Sequence, residues 1–308
     1  MNILVAGGSG FIGRELVKSL LDEHQVTVVG RSNSHMVDIF AQRVQACTWQ
    51  DLPKLDACNY DIIINLCGYN ISAARWSDAV KKQIIASRVD TNTSLINWII
   101  KSNCKPRYYC ANAIGIYGMQ GNDDLSAFSE DSPIDFDHPR DFLSEVGIRW
   151  QQSVQPAIEY GLPVTITRFG VVLQRGQGML KKLTPSFGLG LGSVISDGKQ
   201  VISWIHLDDI VHALKFLFAH PELTGVFNLT SPYPVSQAEF AATLAKAMHR
   251  PLFLKTPGWV MRLLFGEMGE YLINRGQRVV PKRLQETEFK FSYPLLAEAL
   301  AHEFATKR

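Results

Sequence analysis

The sequence has 308 residues, of which 46% are hydrophobic and 19% charged, and this ordinary globular composition excludes a disordered or fibrous chain. Because 31 basic residues face 29 acidic ones, for a net charge of +2, neither nucleic acid nor an anionic membrane is expected as the main partner. A chain of this length buries enough apolar surface to fold without a disulfide or a metal.

The first half of the chain alternates short apolar strands with helices. The predicted strands are Asn2–Ala6, Gln25–Gly30, Asp61–Leu66, Arg107–Ala111, Pro163–Arg168 and Gly225–Thr230. The predicted helices are Phe11–Leu21, Asp78–Lys101, Asp141–Tyr160, Asp208–Ala219 and Ser236–Met248. Runs such as Ile62, Ile63 and Ile64 are apolar on both faces, which is typical of parallel strands covered by helices on both sides. We therefore predict an α/β fold with a doubly wound parallel sheet of the Rossmann type.

The composition changes after Arg168, where glycines interrupt a stretch without a clear period. We interpret residues 170–205 and 232–308 as a smaller C-terminal α+β substrate lobe, and residues 1–169 together with 206–231 as the nucleotide-binding domain. A ligand cleft is expected at the boundary between the two parts, facing the carboxyl ends of the strands.

A glycine-rich segment, Gly7-Gly8-Ser9-Gly10-Phe11-Ile12-Gly13, follows the first predicted strand and opens the first predicted helix. In this context the pattern predicts a dinucleotide site, because glycines allow a tight turn and a close approach to a diphosphate. The amino end of the helix offers free N–H groups and a partial positive charge to the phosphates. A glycine turn without a ligand is the alternative.

The end of the second predicted strand reads Val29-Gly30-Arg31-Ser32, without the carboxylate that usually accepts hydrogen bonds from the ribose of NAD. Arg31 stands there instead, and a guanidinium suits the 2′-phosphate of NADP. We predict that NADP(H) is preferred over NAD(H); the alternative is that Arg31 is a solvated surface residue.

With these features placed, the whole chain resembles an atypical branch of the extended short-chain dehydrogenases/reductases, the NAD-dependent epimerase/dehydratase-like "epimerase family" proteins. The motifs that carry the resemblance are GGSGFIG at 7–13, INLCG at 64–68, RW at 75–76, SR at 87–88, AIGIYG at 113–118, FLSEVGIRW at 142–150, RFGVVL at 168–173, SWIHLDDI at 203–210 and GQRVVPKRL at 276–284. The resemblance implies an NADP(H)-binding Rossmann domain with a small C-terminal substrate lobe. It also implies that Leu66, Cys67 and Gly68 pass the adenosine and ribose, and that the Val171 backbone lies near the nicotinamide amide. The predicted cofactor-binding residues are Gly7, Ser9, Gly10, Phe11, Ile12, Gly13, Arg31, Ser32, Leu66, Cys67, Gly68, Arg88, Ala111 and Val171.

The chain departs from this superfamily in its catalytic groups. Ala113 occupies the position of the usual serine, and the YxxxK tyrosine and lysine fall on Phe142 and Val146 or within one residue of them. Phenylalanine has no proton to give and valine has no charge, so the usual mechanism is not available. We name Asn112, Tyr117 and Glu145 as candidate catalytic residues, each with a structural alternative: a strand-end amide, a packed ring and a solvated helix carboxylate.

Two functions fit these observations. One is an NADP(H)-dependent oxidoreductase, epimerase or dehydratase that acts on an unidentified small polar metabolite; the other is a non-catalytic NADP-binding redox sensor or regulator. Arg75 and Arg88 are candidates for receiving a carboxylate or a phosphate, with surface salt bridges as their alternative. His206 is expected to be structural, and a monomer or a homodimer is expected.

The five cysteines, Cys47, Cys58, Cys67, Cys104 and Cys110, form no CxxC pair. Their odd number argues against a secreted disulfide framework, so free thiols in a reducing cytoplasm are expected. No metal site, no signal peptide and no transmembrane segment are predicted.

Overall fold

A computed structural model describes residues 1–305 of the chain. The first half contains β1 (Asn2–Ala6), α1 (Phe11–Leu20), β2 (Gln25–Gly30), α2 (Asn33–Phe40), β3 (Gln45–Thr48), β4 (Ile62–Asn65), α3 (Asp78–Lys101), β5 (Arg107–Ala113), α4 (Phe142–Gln152), α5 (Gln155–Glu159) and β6 (Val164–Phe169). Short 3₁₀ turns lie at Leu52–Lys54, Ala57–Asn59 and Ile114–Tyr117.

The second half contains smaller elements. They are β7 (Val171–Leu173), α6 (Gly178–Gly188), β8 (Ser193–Ile195), β9 (Val201–Ile202), β10 (Trp204–His206), α7 (Leu207–Ala219), β11 (Gly225–Leu229), β12 (Val235–Ser236), α8 (Gln237–Ala247), β13 (Leu254–Thr256), α9 (Gly258–Phe265), α10 (Glu267–Gly269), α11 (Lys282–Gln285) and α12 (Leu296–Phe304). A π-helical turn spans Glu270–Asn274.

Seven parallel strands form the central sheet in the order β11-β6-β5-β4-β1-β2-β3. From β1 the chain first builds outward through β2 and β3, then returns to the other side of β1 at β4. The carboxyl ends of β1 and β4 therefore flank the point where the strand order reverses, which is where open α/β sheets bind ligands. The predicted doubly wound sheet is confirmed.

Alternate residues of each strand enter different layers. Ile62 and Ile64 pack with α1 and α7 on one face, while Ile63 packs with α3, α4 and α5 on the other. Neighbouring Tyr109 and Tyr108 divide in the same way. Both faces of the sheet are therefore covered, which explains why these strands have no polar side.

A third core, built around Trp204, Phe240 and Leu300, lies within β10, α8 and α12. It is separate from the two layers of the sheet, as expected for a smaller lobe. The division into residues 1–169 plus 206–231 and residues 170–205 plus 232–308 remains a prediction. None of the helices within residues 1–305 combines the length and hydrophobicity needed to cross a membrane.

Two expectations were wrong. The single helix predicted over 141–160 is two helices, because α4 ends at Gln152 and α5 restarts with Pro156 in its first turn, where a missing N–H costs no hydrogen bond. The cysteines are not all free: Cys58 and Cys104 form a disulfide with a Cα–Cα distance of 5.3 Å. They are 46 residues apart and meet only through the fold, so their spacing gave no signal.

Candidate functional site

The glycine-rich segment packs directly against the end of β4. Gly7 has a φ of +78°, and a Cβ placed on it would lie 2.9 Å from the backbone N of Cys67. A Cβ on Gly13 would overlap the carbonyl oxygen of Gly7, so this glycine lets α1 approach the turn. The two positions therefore admit no side chain, as close packing of a dinucleotide-binding turn requires.

The amino end of α1 is open to an anion. Gly10 is its N-cap and brings no capping side chain, and no carboxylate lies in the first turn. The backbone N–H groups of Phe11, Ile12 and Gly13 stand in the first turn, where no intrahelical acceptor exists. Ser9 is fixed just before them, because its carbonyl oxygen accepts a 2.8 Å hydrogen bond from Arg14 Nε. This arrangement fits a diphosphate.

Arg31 and Ser32 follow β2 at the same edge of the sheet. Both are exposed, and Arg31 forms no ion pair with any residue in 1–305. Ser32 caps α2 by accepting a hydrogen bond from the backbone N of His35. Burial raises the pKa of the Cys67 thiol to about 12, and the nearby positive charge of Arg31 opposes that rise. A free cation therefore borders the place predicted for the adenosine half.

The end of β4 is held by a buried amide. Asn65 accepts a hydrogen bond from the backbone N of Cys67 at 3.0 Å and donates to Asn92 at 2.6 Å. Leu66 donates from its backbone N to Ala6. The chain over Leu66, Cys67 and Gly68 is thus fixed beside the glycine-rich segment, with Gly68 in contact with Arg88.

Two further predicted cofactor residues, Ala111 and Val171, lie on β5 and β7. Ala111 is buried in β5, with a relative exposure of 2%. Val171 begins β7, where its backbone N donates to Ser203 O at 2.8 Å and the residue pairs with Trp204 of β10. The carboxyl ends of β1, β2, β4 and β5 thus bring the glycine-rich segment, Arg31, Ser32, Leu66–Gly68 and Ala111 to one edge of the sheet, whereas Val171 lies on β7 and Arg88 on α3.

The positions of the missing tyrosine and lysine are filled by an apolar cluster. Phe142 and Val146 pack with Ile84, and the ring of Trp76 meets that of Phe142 edge-on at 4.8 Å. Lys81 lies 5.0 Å from the Phe142 ring centre. Neither Phe142 nor Val146 offers a proton donor, and Ala113, at the position predicted for the serine, is exposed.

The Asn112 side chain bonds to the backbone of β5 and α4 through both ends of its amide. Its Nδ2 donates to Gly147 O at 3.0 Å, and its Oδ1 accepts from the backbone N of Ala113 at 2.7 Å. The side chain is buried and joins β5 to α4. The amide is therefore bonded to the protein itself.

Tyr117 lies in a buried polar network below the strand ends. Its hydroxyl accepts a 2.7 Å hydrogen bond from Arg168 and donates one of 2.9 Å to Asn228, while its ring stacks on Phe128. Burial raises the pKa of Tyr117, although the charge of Arg168 opposes this. Burial likewise raises the pKa of the neighbouring Glu130 carboxyl. The hydroxyl has both its hydrogen bonds satisfied without a ligand.

Glu145, the third candidate catalytic residue, pairs with Arg149 at 2.7 Å across one turn of α4. The side chain is partly exposed. The structure therefore gives each of Asn112, Tyr117 and Glu145 a protein partner and does not bring the three together. Their catalytic roles remain predictions.

Tyr117→Phe tests whether this residue is structural. Removing the hydroxyl leaves Arg168 and Asn228 short of a buried partner, so we expect the free energy of unfolding to fall by about 1.5 to 3 kcal/mol. Urea denaturation measures the loss, and nucleotide affinity should stay at the wild-type value. Normal stability with a changed pH profile of turnover would instead favour the catalytic role.

The remaining candidates occupy separate places. His206 is buried, caps α7 and hydrogen-bonds Glu303 at 2.8 Å, as expected for a structural residue. Arg75 donates to Leu263 O in the C-terminal lobe. Among the tryptophans, Trp150 and Trp204 belong to hydrophobic cores, and Trp76 packs against the apolar cluster.

Arg168 is a buried hydrogen-bond donor that the sequence did not single out. Arg168 is 3% exposed, donates to Tyr117 and Gln151, and has no carboxylate partner within residues 1–305. It stands within a motif of the resemblance, but no local pattern shows that a strand arginine points into the core.

The family model for the NAD-dependent epimerase/dehydratase family matches residues 3–230, and a domain of unknown function, DUF1731, matches residues 256–303. An "epimerase family protein" of Mycobacterium bovis is 33% identical over 308 residues, covering 99% of this chain and 98% of the relative. An Arabidopsis thaliana relative described as chloroplastic is 32% identical and covers 97% of this chain and 86% of its own length.

The human epimerase family protein SDR39U1 has a similar crystal structure. It superposes with a TM-score of 0.86 at 30% identity and covers 99% of each chain. That protein was crystallised with NADPH. The likeness extends over both the sheet and the C-terminal lobe.

Proposed function

The chain belongs to the NAD-dependent epimerase/dehydratase family, and we propose that it binds NADP(H) and acts as an oxidoreductase, epimerase or dehydratase on a small polar metabolite. The observation that carries the proposal is the edge formed by the open amino end of α1 and the free guanidinium of Arg31. NADPH in the similar human structure supports the same cofactor.

Each group of predicted residues would bind a different part of the cofactor. Gly7 to Gly13 would take the diphosphate, Arg31 and Ser32 the 2′-phosphate, and the chain over Leu66–Gly68 the adenosine and ribose. When bound, NADPH supplies a hydride at C4. The chain's own part is to place that carbon and to stabilise developing charge, because Phe142 has no proton to transfer.

The apolar cluster around Phe142 and Val146 favours a second candidate, a non-catalytic NADP-binding sensor. The two candidates differ in whether the hydride is used. NADPH carrying deuterium at C4 should lose its label stereospecifically on a carbonyl panel if the protein is an enzyme. Tight binding with no loss of label across the panel would favour the sensor.

Arg31→Asp tests the cofactor preference. The substitution places a carboxylate beside the 2′-phosphate, so we expect NADPH affinity to fall about tenfold, while NADH binding is retained or strengthened through the ribose hydroxyls. Isothermal titration calorimetry with both nucleotides measures the change, with exposed Arg43→Asp as the matched control. Equal affinities for NADPH and NADH in the wild-type protein would contradict the role of Arg31.

A further inference from the structure

Two cysteines and an aspartate form a cluster of metal-ligating side chains at the amino ends of two central strands. Cys58 lies in the 3₁₀ turn Ala57–Asn59 that precedes β4, and Cys104 lies between α3 and β5. The two sulfurs and a carboxylate oxygen of Asp56 all lie within 4.8 Å of one another. Thiolate sulfur and carboxylate oxygen are both ligands that Zn²⁺ accepts.

The Asp56 side chain is already oriented toward the sulfurs. It caps the 3₁₀ turn, because its Oδ1 accepts a 3.0 Å hydrogen bond from the backbone N of Cys58. Within residues 1–305 its Oδ2 forms neither a hydrogen bond nor an ion pair. Cys58 is exposed and Cys104 is partly exposed, so water can reach the cluster and complete the coordination of an ion.

The surroundings suit an ion held by three anionic ligands. Two thiolates and a carboxylate carry three negative charges, which is one more than a divalent cation neutralises. An open cavity of about 490 Å³ adjoins both sulfurs, and Lys105 and Arg107 line it together with Asp61. The Asp61 carboxylate accepts a 2.7 Å hydrogen bond from the backbone N of Asn2. The cavity wall therefore offers more positive than negative charge, and nearby cations also favour the thiolate form that a metal requires.

A second cluster of possible ligands, His206, His302 and Glu303, does not suit a metal. The Nδ1 of His206 accepts a 3.2 Å hydrogen bond from the backbone N of Asp208. In the neutral ring the proton is therefore on Nε2, which donates to Glu303 at 2.8 Å. That nitrogen has no lone pair for an ion, so the cysteine cluster is the stronger candidate.

The disulfide and a metal site at these cysteines exclude each other. While Cys58 and Cys104 are joined, neither sulfur is a thiolate. A phosphine reduces the disulfide: the S–S bond breaks, both sulfurs become thiols, and the phosphine becomes a phosphine oxide with oxygen from water. Zn²⁺ can then replace the two thiol protons. Either bond type would connect the same two segments, which are 46 residues apart in sequence.

We propose that Asp56, Cys58 and Cys104 bind Zn²⁺ when the disulfide is reduced, so that the ion keeps the turn before β4 connected to the segment before β5. The inference goes beyond the proposed function and does not depend on it. The cluster lies at the amino ends of β4 and β5, whereas the glycine-rich segment follows the carboxyl end of β1 at the opposite edge of the sheet.

Calorimetry with Zn²⁺ tests the site on the full chain, reduced with a phosphine and desalted without oxygen. We expect about one ion per chain, with a Kd of about 1 µM or below, and no binding to the oxidised protein. Co²⁺ should give the thiolate-to-cobalt absorption band with the reduced protein alone. Bound Zn²⁺ should also raise the melting temperature of the reduced protein and leave its NADPH affinity unchanged.

Variants assign the ligands. Cys58→Ser should weaken Zn²⁺ binding at least about 100-fold and abolish the cobalt band. Asp56→Asn keeps the oxygen that caps the turn but removes the charge, so we expect a loss of about tenfold. Asp38→Asn, at an exposed carboxylate on α2, is the matched control and should bind Zn²⁺ as the wild-type protein does.

The outcomes separate this inference from the proposed function. Reduced wild-type protein that binds no Zn²⁺ overturns the metal site, and so does normal Zn²⁺ affinity in Cys58→Ser or in Asp56→Asn. If Cys58→Ser does not fold, Cys104→Ser must show the same loss of affinity and of the cobalt band. A protein that binds Zn²⁺ but no NADPH would overturn the proposed function and support the metal site.

Discussion

Gly10→Val is expected to weaken NADPH binding at least about 100-fold and to leave the protein folded. A Cβ on Gly10 would find only Gly7 O, at 3.1 Å, and the φ of −78° suits any residue. The valine side chain would therefore leave the fold little changed but occupy the exposed space above the amino end of α1. Calorimetry with NADPH measures the loss, and circular dichroism with a melting curve verifies the fold.

Gly13→Ala provides the contrast to this variant. Its methyl group would overlap the carbonyl oxygen of Gly7 and crowd Gly8, so the helix must move away from the turn. We expect a lower melting temperature together with weaker binding, whereas Gly10→Val should affect binding alone. If Gly10→Val binds NADPH as the wild-type protein does, the diphosphate does not lie on this helix end.

The central sheet was predictable because most of its strands are short apolar runs that can be recognised in the local sequence. Ile62, Ile63 and Ile64 are apolar on both faces, and the sheet buries all three. β3 gave no such signal, because Gln45–Thr48 is short and lacks a β-branched run. Its place at the sheet edge comes from pairing with β2, which is a tertiary contact that local pattern cannot show.

The candidate site was predictable only in part. The glycine-rich segment and Arg31 could be identified from local sequence, because the glycine spacing and the charged residue after the second strand can both be read there. The partners of Asn112 and Tyr117 come from α4, β6 and β11, so no local pattern shows that these polar groups are already bonded.

Val146→Lys is expected to lower the free energy of unfolding by about 3 kcal/mol at neutral pH. Val146 is 5% exposed in the apolar cluster with Phe142 and Ile84, and a lysine there would be desolvated without a counter-ion in the cluster. Val146→Met, a neutral side chain of similar length, should cost no more than about 1.5 kcal/mol. Urea denaturation of both variants measures the difference.

The pH dependence distinguishes a charge penalty from poor packing. Desolvation lowers the pKa of the lysine in the folded state, so the penalty is fully present below that folded pKa. It should shrink as the pH rises from the folded pKa to the unfolded pKa of about 10.4, and above that pH the lysine is neutral in both states. A loss of stability that does not change with pH would show that packing alone is responsible.

A double variant tests whether the usual tyrosine and lysine chemistry can be restored within the apolar cluster around Phe142 and Val146. Phe142→Tyr combined with Val146→Lys brings back the residue types of the YxxxK pair, but both positions face Ile84 and Trp76 and not an open cleft. We expect no NADPH oxidation on a carbonyl panel and a stability as low as that of Val146→Lys alone. A folded double variant that oxidises NADPH would show that the cluster opens toward the nicotinamide. The apolar residues would then be replacements within an accessible catalytic site, and the enzyme would be favoured over the sensor.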